Sequence, residues 1–295
     1  MEPNWIAIAR RNARSVQTTI GWIFWDPGAV ARYEAIGLPG PLGYIAARSA
    51  PLAPAGPDAV TAAFGSISPI GIAMALDLAG PDGPARCWEA RDEAVLEGLT
   101  AYAPDILDPL AELGPHLWAV VERLPMVGRV LAAAHLRMPR PDDPVLSGWH
   151  AVNCLREWRG DTHWAAVVAA GLTGVEASVL HNAWLRYESD WLPTSRGSSP
   201  EEIAAAWDGL AEKGLVEVGD DGERRVTDQG IALRRDIEER TDALTTTPWE
   251  LLGVHRSLQF AEDLEPPCER LLERVDLTAG ENYQPGSRIR DTDFA

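Results

Sequence analysis

The sequence predicts a mainly α, multi-helical fold that carries one small two-stranded wing. Three observations lead there. Apolar residues recur at helical spacing through most of the chain. The helical runs are cut by Pro and Gly clusters rather than joined by strand-like alternation. One stretch, VEVGDDGERRVT, places two short strand patterns around an Asp-Gly pair, a hairpin signal.

The elements follow in order. Residues 4–20 form a first helix. Asp26-Pro27 marks the next start, with Asp as cap and Pro in the first turn. WDPGAVARYEAIGLPGPLGYIAARSAPL then reads as two short helices separated by the Gly37–Gly40 turn. The Pro/Ala/Gly-rich stretch 51–57 cannot be a helix interior. Helical patterns resume near 58–64, 69–79, 84–101, 105–121 and 126–136. MPRPDDPVLSG reads as a linker and divides an N-terminal helical domain, 1–140, from a C-terminal domain, 141–277. In the second half, 145–158 and 161–170 read as helices broken at Gly160. VEASVLHNAWLRYE follows as a helix. Ser199, Pro200, Glu201 and Glu202 then start a helix whose apolar face is Ile203, Ala206, Trp207 and Leu210. Gly214 ends it, the wing follows, and helices are expected at 228–244 and 249–275. The polar tail, 278–295, is expected to be mobile.

Composition narrows the function. The 295 residues hold 44 Asp+Glu against 26 Lys+Arg, a formal net charge of −18. That balance argues against nucleic-acid and anionic-membrane partners, whose affinity comes from cations meeting phosphates. The apolar share, 46%, supplies a sizeable core. Twelve Trp imply large buried surfaces or an aromatic-lined cavity. Cys87, Cys154 and Cys268 are odd in number and widely spaced, which fits a reducing, cytoplasmic setting. No uninterrupted apolar stretch suggests a signal or a membrane span.

The run AWDGLAEKGLVEVGDDGERRVTDQGIALRRDIEERTD resembles the MarR-type winged helix over about fifty residues. The resemblance implies a winged-helix module and, by analogy, dimerisation through terminal helices, as a homodimer or with a paralogous chain. It does not imply DNA binding. The presumptive recognition helix, 200–212, carries Glu201, Glu202, Asp208 and Glu212 and no cation. The wing adds Glu217, Asp220, Asp221 and Glu223 against Arg224 and Arg225. Such a face repels a duplex.

Two further blocks, GYIAARSAPLAPAGPDAVTAAFGSISP and LREWRGDTHWAAVVAAGLTGVEASVL, resemble the signature blocks of the actinobacterial SalK-like family. The resemblance spans most of residues 10–250 and implies biosynthetic or accessory roles in secondary metabolism. The family's second block runs L-R-E-H-R-G-D-G-H. Arg156, Glu157, Arg159, Gly160, Asp161 and His163 match it, whereas Trp158 and Thr162 depart. The imidazole lost at position 158 removes half of any two-histidine metal reading.

The candidate residues lie in these blocks. His163 is a candidate general base or acid, oriented by Asp161 or Glu157. Asp161 also fits a simple helix cap. His150 lies thirteen residues earlier, so one straight helix would not align the two rings. Tyr44 and Arg48 share a helix face. Arg48, inside an apolar run, needs either a carboxylate partner or an anionic ligand. Thr61 and Ser66 offer hydroxyls to a ligand or to helix ends. Trp22 and Trp25 form one aromatic cluster. Trp149, Trp158 and Trp164 form another, and both could pack the core or line a cavity. No G-x-S-x-G, Walker A, G-x-G-x-x-G or H-E-x-x-H motif occurs. The expectation is a cofactor- and metal-independent enzyme acting by acid/base chemistry, such as elimination or cyclisation. In it His163, Asp161 and Tyr44 are catalytic. Arg48, Ser66, Thr61, Trp22, Trp25, His150 and Trp164 bind the substrate, free or carried on a carrier protein. The alternatives are a non-catalytic small-molecule-binding or resistance protein and a MarR-like regulator.

Overall fold

The computed structural model describes residues 2–219 and 223–288. The fold is mainly helical with one two-stranded antiparallel sheet. The Asp-Gly turn of the wing and the end of the tail lie outside the described residues.

Local chemistry sets most helix starts. The side chain of Asn4 caps α1 (Trp5–Gly21), accepting from the Ala7 N–H at 3.0 Å. Asp26 caps α2 (Pro27–Ala35) as expected, accepting from the Gly28 N–H at 2.8 Å. α3 (Pro41–Ser49), α4 (Pro57–Phe64) and α5 (Pro69–Ala79) each open on Pro, where its missing N–H costs nothing. α6 (Gly83–Tyr102), α7 (Leu107–Val121) and α8 (Val130–Leu136) complete the N-terminal half.

α9 (Pro144–Ala169) is a single helix, which corrects the break expected at Gly160. Helical glycine costs only about 1 kcal/mol against alanine. Packing on both sides outweighs that cost, for α9 lies against α1, α6, α7, α8 and α13. Asp161 is therefore mid-helix and not a cap; Asp143 caps α9, accepting from the Leu146 N–H at 2.9 Å.

The winged-helix module follows. α10 (Gly174–Trp184) and α12 (Pro200–Glu212) both open on capping boxes, Thr173/Glu176 and Ser199/Glu202. The short α11 (Trp191–Ser195) lies between them. β1 (Val216–Val218) pairs with β2 (Arg224–Val226), Glu217 opposite Arg225. α13 (Asp228–Leu244) leads to α14 (Thr247–Leu252) and α15 (Val254–Thr278). The last two replace one expected helix, because Gly253 turns the chain at φ 85°.

Two apolar cores result. The larger joins α1, α3, α6 and α7 with Trp149, Leu155 and Trp158 of α9 and Phe260 and Leu271 of α15. The smaller joins Ala166 and Val167 of α9 with Leu180, Trp207, Leu210 and Ile237. One helix thus enters both cores and carries residues 155–169 across the junction.

Candidate functional site

Thirteen steps of about 100° leave His150 and His163 about 140° apart around α9. Their surroundings differ accordingly. His150 is buried between Trp88 and Trp149, with ring centroids 5.0 and 5.6 Å away. Its Nε2 meets Asp92 Oδ2 at 2.9 Å, and Arg91 holds the other carboxylate oxygen at 2.7 Å. Burial lowers the His150 pKa, and the node is part of the core.

His163 faces α13. Its Nδ1 lies 3.1 Å from Thr241 Oγ1. The Thr241 hydroxyl gives its one hydrogen to the Ile237 carbonyl at 2.7 Å, so it can only accept from the ring. The proton therefore sits on Nδ1 and the lone pair on Nε2. Glu238 Oε1 is 3.9 Å from Nδ1, behind the ring. Arg234 at 2.5 Å and Arg159 at 3.6 Å hold Glu238 ionised, well below the usual carboxylate range. Burial pushes the His163 pKa down to about 4, so the ring is neutral near pH 7. Yet 24% of its side-chain surface is accessible, as is 34% of Glu238. This desolvated but partly open surface around His163 and Glu238 is the recess of the candidate site. His181 borders it, its pKa lowered well below the ordinary value by burial and by Arg234 and Arg196.

Residues 43–69 meet residues 155–180 here. Arg48 turns a fork onto Glu157, Nε to Oε1 at 3.0 Å and Nη2 to Oε2 at 2.8 Å. Arg156 adds a bond to Glu157 Oε1 at 2.5 Å. The two guanidiniums hold buried Glu157 far below its ordinary pKa. Gly65 gives room to the Trp164 ring, which a Cβ would meet at 2.0 Å. Trp164 in turn stands edge-on to His163 at 5.9 Å. Ser66 accepts from Arg196. Tyr44 stacks on Phe24 at 3.8 Å, close to both Arg48 and Arg196.

Other expected residues lie apart. The Asp161 carboxylate accepts from the Ala132 N–H at 3.0 Å and ties α9 to α8. It makes no hydrogen bond to His163, and burial pushes its pKa up to about 6. Trp22 is fully buried beside Tyr102, and Trp25 packs on Tyr283 at 4.2 Å. Thr61 is half-buried on α4. A separate hollow of about 390 Å³ lies between α7 and α15, lined by Glu112, His116, His255 and Arg256, and holds none of these residues.

Sequence reasoning missed Arg196, Ser178, Arg234, Glu238 and Thr241, and it read His181 as a helix-surface or core residue. The Arg234/Glu238 pair at four-residue spacing, with Thr241 three further on, was a readable signal on α13. Arg196, in an irregular Gly/Ser-rich loop, gave none. Among the described residues no three His, Cys, Asp or Glu side chains converge to hold a metal ion.

Helix, turn, helix and two-stranded wing around a small private core define a helix-turn-helix protein of the winged type. Residues 9–278 match the model of a helix-turn-helix family, and the chain belongs to that family. No curated protein and no solved structure matches it.

Proposed function

We propose that this chain uses its winged-helix module to build a small-molecule site rather than to read DNA, and that His163 performs acid/base chemistry there. The observation that carries the reading is the His163 arrangement. Its Nδ1–H is committed to Thr241, Glu238 stands behind it, and its bare Nε2 has no hydrogen-bond partner among the described residues. A proton taken by Nε2 makes an imidazolium that Glu238 stabilises. In an elimination, that proton leaves carbon, its electron pair forms the new double bond, and the leaving group departs as an anion. Cyclisation uses the same base on a nucleophile's proton. No redox step enters either route.

The DNA-facing side supports the reading. Glu201, Glu202, Asp208 and Glu212 are all exposed on α12. Lys213, the cation that follows, is engaged by Glu176 at 2.6 Å. The resemblance to SalK-like proteins fits a role in secondary metabolism.

A second reading, binding without turnover, is favoured by one observation: a ring with a pKa of about 4 is a weak base at neutral pH. An anionic ligand in the recess would raise it. Incubation with small carboxylates and phosphate esters selected by thermal shift, followed by mass spectrometry, separates the two. Turnover by the native chain that is lost in His163→Gln with binding retained supports chemistry. Binding without turnover by the native chain supports sequestration, and unchanged turnover in His163→Gln removes the base.

A further inference from the structure

Arg48 and Arg196 are two half-buried guanidiniums of one recess, and they are used differently. Arg48 gives its Nε/Nη2 edge to Glu157. Arg196 is anchored through its other nitrogen, Nη1, which donates to Ser66 Oγ and to Ser178 Oγ, the latter at 3.0 Å. Its backbone is pinned as well, since the Ser68 N–H donates to the Arg196 carbonyl at 2.9 Å. The Nε/Nη2 edge, the same edge that holds a carboxylate in Arg48, has no hydrogen-bond partner among the described residues. Neither nitrogen is sealed from solvent.

Charge points the same way. Arg48, Arg159 and Arg234 each have a carboxylate partner. Arg196 has none among the described residues. Burial pulls its pKa down to about 10, the cations Arg234 and Arg48 push the same way, and it stays protonated. A desolvated cation without a counter-ion is unfavourable until an anion arrives. Fixing the guanidinium plane in advance removes the ordering cost of binding.

We propose that the free Nε/Nη2 edge of Arg196 binds an oxyanion group, carboxylate or phosphate, of the molecule that occupies this recess. The inference rests on the reading that the recess is a ligand site. It does not require His163 to turn the ligand over.

The test is calorimetric titration of the full chain with inorganic phosphate and with acetate, at ionic strength held constant with chloride, alongside thermal melts. The native chain should bind one anion and melt higher in it than in chloride. Arg196→Gln should weaken binding by at least about tenfold, the loss of one charge-assisted fork. It should not lower the melting temperature of the anion-free protein, because the substitution removes an unpaired charge. Anion binding is read on the native chain whether or not any substrate turns over, so a failure of the chemistry and a failure of this site read differently. Tighter phosphate than acetate marks a phosphate ester as ligand, and the reverse marks a carboxylate. Equal anion affinity in Arg196→Gln, or an anion-free variant that melts several degrees lower, overturns the proposal. Should that variant not fold, Arg196→Lys decides. It keeps the charge and loses the fork, and undiminished affinity in it is the contrary result.

Discussion

His163 depends on two atoms it does not own, the Thr241 oxygen that fixes its tautomer and the Glu238 carboxylate behind it. Its proton NMR titration should centre near pH 4, where an unperturbed histidine gives about 6.5. A midpoint near 6.5 in the free protein would contradict the desolvated recess. The same shift governs stability. Above pH 6.5 the ring is neutral in folded and unfolded chains. Between 6.5 and about 4 the unfolded chain takes a proton that the fold refuses, so stability falls on acidification. His135, buried to a pKa of about 4, adds to the fall, and His181 acts in the same direction. Each of the first two rings contributes at most about 3 kcal/mol. Asp161, raised from 3.8 to about 6, opposes them, for the fold holds a proton there that the unfolded chain has lost. With buried His150, lowered as well, four rings outweigh one carboxyl. Melting temperature should drop from pH 6.5 to pH 4, more gently in His163→Gln and more steeply in Asp161→Asn. The two arginines of the recess also part at this scale. Arg48→Met leaves buried Glu157 short of its main partner and should cost about 3 kcal/mol by denaturant unfolding.

At the scale of the element, α9 decides the layout, and its two glycines have opposite meanings. Gly148 crosses α7 so closely that a Cβ would lie 2.0 Å from the Leu110 carbonyl oxygen. Gly148→Ala should destabilise by at least about 2 kcal/mol or prevent folding. A Cβ at Gly160 would meet nothing nearer than Glu157 Oε2 at 3.9 Å. Gly160→Ala should therefore be neutral or stabilise by up to about 1 kcal/mol, measured by thermal melts. Helices with chemical punctuation, such as α2 behind Asp26 and α12 behind Ser199, were legible because cap and Pro act locally. The continuity of α9 was not, because the packing that carries a helix through Gly160 comes from elements distant in sequence. The split at Gly253 was hidden for the same kind of reason, a left-handed turn inside one uninterrupted helical pattern.

Across the whole molecule, residues 43–69 meet residues 155–180 at α9, Arg48 with Glu157 and Gly65 with Trp164, and Ser66 reaches Arg196 outside both stretches. Five expected residues, Tyr44, Arg48, Ser66, His163 and Trp164, gather around the recess. His150, Trp22 and Trp25 pack elsewhere, because residue type alone cannot say which face of a helix looks into a site. The partners of His163 come from α13, some 78 positions away in sequence, and no local pattern joins them. Charge, in contrast, was fully legible: the −18 balance and the acidic α12 need no coordinates. The module has the winged-helix order, and its α12 exposes Glu201, Glu202, Asp208 and Glu212. The most direct measurement is fluorescence anisotropy of labelled duplex DNA titrated with the full chain at low ionic strength, where electrostatic attraction is strongest. The account predicts no rise in anisotropy. A saturable rise that weakens steeply with added salt would contradict it.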